Sequence, residues 1–242
     1  MGCEVERPDI SVVVLAYRSA STIEGFVSSL VASLDNERLD WEIILVGNYA
    51  EGADDQTPEV VRRISSGNSR IKSVVRVKEG MMGWDMKSGL QAATGKTLAV
   101  IDGDGQMPCT DVIRVYQLMK EKRHDLVKTV RVERSDGFYR KLISTNYNRL
   151  FNVLFPGMDA RDVNSKPKIL TRELYENMNL GSNGWFIDAE IMIIARRLKM
   201  SIGTIETTFH SIDTRPSFVK PLAVLEFLAN LIWYRIKEFG AK

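Results

Sequence analysis

Cysteine is nearly missing from this chain: Cys3 and Cys109 are the only two among 242 residues. They lie far apart, and neither stands beside a second pair of ligands. No disulfide framework or zinc motif follows, and a reducing compartment is the default. Long apolar runs are missing too, since none reaches the roughly 20 residues that a spanning helix needs. The opening MGCEVERPD has no apolar segment of the kind a secretory leader carries. Gly2 could belong to a myristoylation signal, but Glu6 stands where Ser or Thr is required. An excess of one charge is also lacking. Lys and Arg number 33 and Asp and Glu 31, which leaves a net +2. That excludes a nucleic-acid binder working by bulk attraction and makes any basic site local. Finally, no G-x-G-x-x-G follows the first apolar run and no G-x-x-x-x-G-K-[ST] occurs, so neither a dinucleotide-binding Rossmann site nor a P-loop is present.

What is there alternates. Ile10–Ala16, Trp41–Val46, Ile71–Val77, Thr97–Ile101 and Asp125–Val130 are runs rich in β-branched residues, which read as buried parallel strands. Between them lie helical patterns. In Thr22–Leu34 the apolar residues Ile23, Phe26, Val27, Leu30, Val31 and Leu34 recur at helical spacing. Pro58–Ile64 has proline at its start, Met82–Ala93 is closed by Gly95, and Asp111–Lys120 follows. The rhythm predicts right-handed crossovers and a mostly parallel sheet covered on both faces. The second half differs: a long amphipathic helix over Phe138–Phe155, the stretch RDVNSKPKIL, a helix opened by WFIDAE, and a strand near Ile202–Ile205. With no repeat and no flexible linker, a single α/β domain is the simplest organisation.

Ligands of open α/β sheets bind beyond the carboxyl ends of the strands. The fourth strand ends there in VIDGDGQ. Asp102 and Asp104, one residue apart, can converge on a hard cation such as Mg²⁺ or Mn²⁺, with substrate phosphates completing the shell. Asp and Gly are also the usual residues of a solvated turn. The isolated motif leaves both readings open.

The blocks VVVLAYRSASTIEGFVSSL, WEIILVGN, GLQAATGKTLAVIDGDGQMP and WFIDAE, in this order and spacing, resemble family 2 glycosyltransferases with the GT-A fold. The resemblance runs from about Ile10 to Phe218. It is nearest to the polyprenyl-phosphate branch, similar to dolichol-phosphate mannose synthase. The branch is marked by DLVKTVRVERSDGFYRKLISTNYNRLFNVLF, by the D-x-x-S element Asp162–Ser165, by Asp188-x-Glu190 and by Arg215.

The resemblance implies a GT-A-like domain over residues 1–217. It also implies an inverting, metal-dependent transfer from a UDP- or GDP-sugar to a lipid phosphate, at the cytoplasmic face and peripheral to the membrane. Ala16, Tyr17 and Asn48 would clasp the nucleotide. Asp85, Lys87 and Gln106 would line the donor pocket. Asp102 and Asp104 would hold Mg²⁺ or Mn²⁺, with His210 approaching from the distal side or serving as an ordinary loop histidine. Arg131, Arg134, Arg140, Ser165 and Arg215 would meet the acceptor phosphate, although a solvated basic face is the alternative for the arginines. Asp104, Asp188 and Arg131 would do the catalytic work. In relatives with hydroxyl acceptors an acid near Asp188 is the general base; with a phosphate acceptor, ionised already, it would position groups instead.

The chain departs from the pattern in three places. Gly47-Asn48 replaces the usual Asp-Asp after the second strand, Ala16 and Arg18 replace Pro and Asn, and Ser165-Lys166-Pro167 replaces S-G-F. Two other readings therefore stand beside the first: a transferase acting on a sugar hydroxyl in polysaccharide or glycolipid synthesis, and a degenerate nucleotide-binding protein without catalysis. Residues 218–242 contain LAVLEFLANLIWYRIKEF, where Glu226, Asn230 and Lys237 share one strip of a largely apolar helix. Such a helix can lie in a membrane interface, pack on a second copy, or cover the core.

Overall fold

A seven-stranded sheet in the order β3-β2-β1-β4-β6-β5-β7 divides the molecule into two helical layers. In this computed structural model the described residues are 6–134, 138–158, 160–210 and 222–240; for 133–134, 138–143, 222–225 and 239–240 the backbone alone is described. In chain order the elements are β1 (Ile10–Leu15), α1 (Ile23–Asn36), β2 (Trp41–Val46), α2 (Thr57–Ser66), β3 (Ile71–Val74), α3 (Met82–Ala92), β4 (Thr97–Asp102), α4 (Asp111–Lys122), β5 (Leu126–Arg134), α5 (Phe138–Leu154), β6 (Lys168–Thr171), α6 (Arg172–Glu176), α7 (Ile187–Arg197), β7 (Ile202–Phe209) and α8 (Leu222–Gly240).

β1 and β2 are buried at every position, which explains sequences apolar but for Ser11 and Glu42, whose side chains bond each other at 2.6 Å. Alternate side chains feed two separate cores. Val12 and Val14 join Leu30 of α1, Val61 of α2 and Val115 of α4. Val13 and Leu15 join Leu90 of α3, Phe151 of α5, Ile191 of α7 and Leu231 of α8. Gly89 brings α3 onto the sheet: a Cβ there would stand 2.4 Å from Val13 Cγ1 and 2.7 Å from Val46 Cγ2.

Several expected boundaries move. β3 stops at Val74, and a single parallel bridge between Tyr49 and Val77 carries the pairing on. α3 is not closed by Gly95, because the chain already leaves the helix in extended geometry at Ala93. Gly95 instead packs on β1, where its N–H donates to Ser11 Oγ at 2.7 Å. β5 and β7 run four residues past the expected ends, pairing in parallel out to Arg134 and Phe209. β6 is antiparallel to both its neighbours, β4 and β5. The alternating first half gave no sign of it.

α8 lies on the domain. Leu231 is fully buried, Phe227 stacks edge-on against Tyr147 of α5 at 5.4 Å, and Arg196 of α7 pairs with Glu238 at 3.0 Å. Its other side, Ile232, Trp233 and Ile236, is more than half exposed. Among the described residues, no helix is long and apolar enough to cross a membrane.

Candidate active site

The crevice lies where sheet polarity changes, between β4 and β6. β4 delivers Asp102 to the rim, and Gly103 then turns the chain tightly over β1. Its N–H donates to Leu15 O at 2.9 Å, and a Cβ would come within 2.8 Å of Ile23 Cδ1 and Val14 Cγ1. Gly105 sits at φ +80°, a conformation glycine adopts without strain. Asp104 closes the turn by accepting the Gln106 N–H at 3.0 Å. Gln106 O in turn accepts the His210 N–H at 2.9 Å, so the end of β7 does reach this loop.

Opposite Asp102 lies the segment 161–168, lashed down by buried cations. Lys128 donates to the carbonyls of Thr129, Arg161 and Asp162, while Lys168 donates to those of Val163 and Ser165, both at 2.9 Å. Burial, helped by the Lys168 charge, pulls the Lys128 amine down to about 7. Asp162 receives Arg131 in a two-pronged bridge, Nε at 2.7 Å and Nη2 at 2.6 Å. Burial alone would raise the Asp162 carboxyl, but the Arg131 hydrogen bonds and charge outweigh it and hold it at about 2. Ser165 Oγ lies 2.7 Å from Thr129 Oγ1.

Lys166 joins the two walls. Its ammonium stands 3.3 Å from Asp102 Oδ2 and 3.2 Å from Asp188 Oδ2, and Lys168 reaches Asp188 Oδ1 at 2.5 Å. Asp188 is fully buried. Burial pushes its carboxyl up, yet the two ammonium groups more than reverse this and hold it below the ordinary range. An acid in that setting is a weak proton acceptor. Glu190, two residues on, accepts the N–H groups of Gly181 and Ser182 at 2.8 and 2.9 Å and the hydroxyl of Tyr234 from α8. Neither acid caps α7: their oxygens go to distant partners.

The second cluster gathers at the ends of β1 and β2. Ala16 continues β1, its N–H donating to Val46 O at 2.9 Å. Tyr17 follows, with the Lys78 ammonium 4.3 Å and the Arg18 guanidinium 5.6 Å from its ring centre. Asn48 is buried. Its Nδ2 donates to Asp85 Oδ1 and to Ser88 Oγ, both at 3.0 Å, and its Oδ1 accepts the Arg76 N–H at 2.9 Å. Asp85 also pairs with Lys78, and burial raises its carboxyl despite that partner. Lys87 donates to Gly181 O at 3.4 Å. A cavity lined by Arg18, Ala20, Ser21, Asp54, Asp55 and Gln56 opens beside Tyr17.

The structure therefore brings Asp102, Asp104, Gln106, His210, Ser165, Arg131 and Asp188 to one side of the rim and Ala16, Tyr17, Asn48 and Asp85 to another. The side chains of Arg134 and Arg140 and all of Arg215 lie outside the described residues. Four lysines escaped the sequence reading: Lys78, Lys128, Lys166 and Lys168. The only signal was the K-P-K after Ser165. Among the described residues no three His, Cys, Asp or Glu side chains meet closely enough to hold a metal ion unaided. Two carboxylate-bearing residues at the rim suit a hard cation that draws its remaining oxygens from a diphosphate.

The model of glycosyl transferase family 2 matches residues 11–183. The chain belongs to that family. Relatives within it act on lipid phosphates by name. A dolichyl-phosphate beta-glucosyltransferase from Trichomonas vaginalis is 23% identical over 94% of this chain and 74% of its own length. A dolichol-phosphate mannosyltransferase from Pyrococcus furiosus is 26% identical over 95% and 64%. The glycosyltransferase AglD of Haloferax volcanii is 28% identical over 78%, but the chain spans only 31% of it. Among solved structures, the UDP complex of glucosyl-3-phosphoglycerate synthase from Mycobacterium tuberculosis superposes with TM-score 0.73 over 94% of this chain and 80% of that one, at 22% identity. A second form of the same enzyme, holding Mn²⁺, UDP and product, gives 0.70 at 21%. At such identities the likeness establishes the fold, the GT-A fold of family 2.

Proposed function

We propose that this family 2 chain transfers a sugar from a nucleotide-sugar donor to a polyprenyl phosphate, with a divalent cation bound at Asp102 and Asp104. The observation that carries the choice of acceptor is the burial of Asp188 between Lys166 and Lys168. A hydroxyl acceptor must lose its proton to a base in the transition state; a phosphate arrives ionised. A carboxylate sealed from solvent and neutralised by two ammonium groups suits the second case and serves to position its neighbours. The names of the Trichomonas and Pyrococcus relatives support the same acceptor class.

In the proposed reaction a phosphate oxygen of the acceptor attacks the anomeric carbon from the face opposite the leaving group. The bond to the diphosphate oxygen breaks, and the nucleoside diphosphate leaves with its electron pair. The cation, when bound, neutralises charge growing on that leaving group. Asp102 and Asp104 would hold it, and the tight turn at Gly103 keeps them at the rim. Arg131, fixed by Asp162 and lying over Phe209 at 5.3 Å, places positive charge where the acceptor arrives. Ser165, Arg134, Arg140 and Arg215 are assigned to the same phosphate by the resemblance. Residues 1–217 carry this chemistry. α8 offers Ile232, Trp233 and Ile236 to a lipid surface, keeping the enzyme at the membrane.

The test is an acceptor panel. Purified protein with Mn²⁺ or Mg²⁺ and labelled UDP- or GDP-sugars is given a polyprenyl phosphate, the matching polyprenol, and a simple glycoside. Label is expected in the phosphate lipid alone. Transfer to the glycoside or the alcohol, with none to the phosphate, would overturn the proposal.

A further inference from the structure

The amide at position 48, where relatives of this family carry an acid, is tied to a partner 37 residues away. Both Asn48 N–H bonds are spent inside the protein, on Asp85 Oδ1 and Ser88 Oγ. An aspartate at 48 has no hydrogen to give. It would set two carboxylates about 3 Å apart in a site where residues 48 and 85 are each less than 5% exposed, and one of them would have to take up a proton. The amide thus gives Asp85 a hydrogen where an acid would set a second charge beside it. Asp85 in turn holds Lys78, whose side chain is only 10% exposed, and the Lys78 ammonium lies over the face of Tyr17. Tyr17 is the second residue past β1, at the mouth of the crevice and beside the cavity lined by Arg18, Asp54 and Asp55. The segment carrying Lys78 is fixed as well: its N–H donates to Tyr49 O at 2.8 Å, and the Tyr49 N–H donates to Arg76 O at 3.0 Å.

We propose that Asn48 is a positioning residue for donor binding. Through Asp85 it holds Lys78 against Tyr17, and the ammonium and the ring together meet the nucleoside diphosphate part of the donor. The acid that other family members place at 48 is replaced by a cation delivered from β3's extension. This inference rests on the donor reading above and adds to it the residues that set donor affinity on this side. Lys78 is the contact; Asn48 and Asp85 act through it.

Isothermal titration of UDP and of GDP with Mn²⁺ into the full-length protein tests the proposal, with a melting temperature recorded for each variant. Asn48→Asp is expected to weaken the better ligand about tenfold or more, since it sets like charges against each other in a buried pair. Asn48→Asp combined with Asp85→Asn, which exchanges amide and carboxylate, is expected to bind about fivefold or more tighter than the single variant. Lys78→Met is expected to lose about tenfold in affinity and, because it leaves buried Asp85 unpaired, to melt lower as well; adding Asp85→Asn removes that unpaired charge and should restore the melting temperature without restoring the affinity, which a purely structural role would not produce. If Asn48→Asp does not fold, Lys78→Met and the exchanged pair decide the matter, the latter judged against the wild type. An Asn48→Asp protein that binds as tightly as the wild type, an exchanged pair that recovers nothing, or a Lys78→Met protein with unchanged affinity would overturn the inference while leaving the donor reading intact. A wild type that binds neither nucleotide removes the donor reading, and this inference with it.

Discussion

Replacing Asp162 by Asn isolates one interaction at the acceptor wall. Asp162 stands at φ 51°, a conformation that Asn tolerates as well as Asp, so the backbone has no reason to move. What changes is the charge that meets Arg131. In the fold the carboxyl ionises near 2 instead of the ordinary 3.8. Each tenfold change in proton affinity is worth about 1.4 kcal/mol, so ionised Asp162 contributes about 2.5 kcal/mol to stability at neutral pH. The bridge is well buried, with the two side chains 17% and 8% exposed, so solvent screening removes little of this. Because the folded value is the lower one, the contribution is complete above the unfolded value and is lost as pH falls through the folded one. At pH 3 about half should remain. Urea unfolding of both proteins at pH 7, 4 and 3 gives the comparison. The wild type should lead by about 2.5 kcal/mol at pH 7, with the gap narrowing toward pH 3. Equal stabilities at pH 7, or a gap that does not change with pH, would refute the reasoning.

Gly89→Ala should destabilise the fold by about 1–3 kcal/mol although alanine is the better helix former, because the new methyl overlaps Val13 and Val46 of the central strands; thermal melting of the purified variant decides the sign. Lys128 acts in the same pH direction as Asp162 but over a higher window. Its folded value of about 7 lies below its ordinary 10.5, so between those limits the unfolded chain holds the extra proton and the fold gains stability as pH rises. In Lys128→Met that gain is absent, so the wild type should improve relative to the variant between pH 7 and 9.5 in urea titrations, and a constant difference would contradict this.

Local chemistry accounts for what could be read in advance. β1, β2 and β4 announced themselves because a strand buried on both faces is apolar at most of its positions, and Asp102-Gly103-Asp104 stood out because it ends such a run. The family resemblance then placed the remaining candidates in order along the chain. Lys166 and Lys168 were invisible for the converse reason. A lysine at or just before a short strand ordinarily signals an exposed position, and only the folded chain supplies the carboxylates and carbonyls that make the burial of these two tolerable. Asn48 shows the same limit. Its sequence position revealed that an acid was missing, but not that Asp85 had made an amide necessary. The reversal of β6 was equally hidden, since four residues carry no periodicity that distinguishes one direction from the other.

That reversal has a consequence for how the two walls of the crevice are built. Every other strand in the sheet presents the loop that follows it to the crevice; β6 presents the loop that precedes it. Residues 161–167 therefore reach the rim beside β4 without a helical crossover of their own, and the short strand behind them fixes where they return. The stretch is tied down by Lys128, Lys168 and Arg131, so substitutions between those ties leave the register of its flanking strands in place. The half of the molecule around β1 and β2 is untouched by such changes. The wall proposed to meet the acceptor and the wall proposed to meet the donor are thus built by separate segments, and a substitution in 161–167 leaves the contacts of Asn48, Asp85 and Lys78 in place.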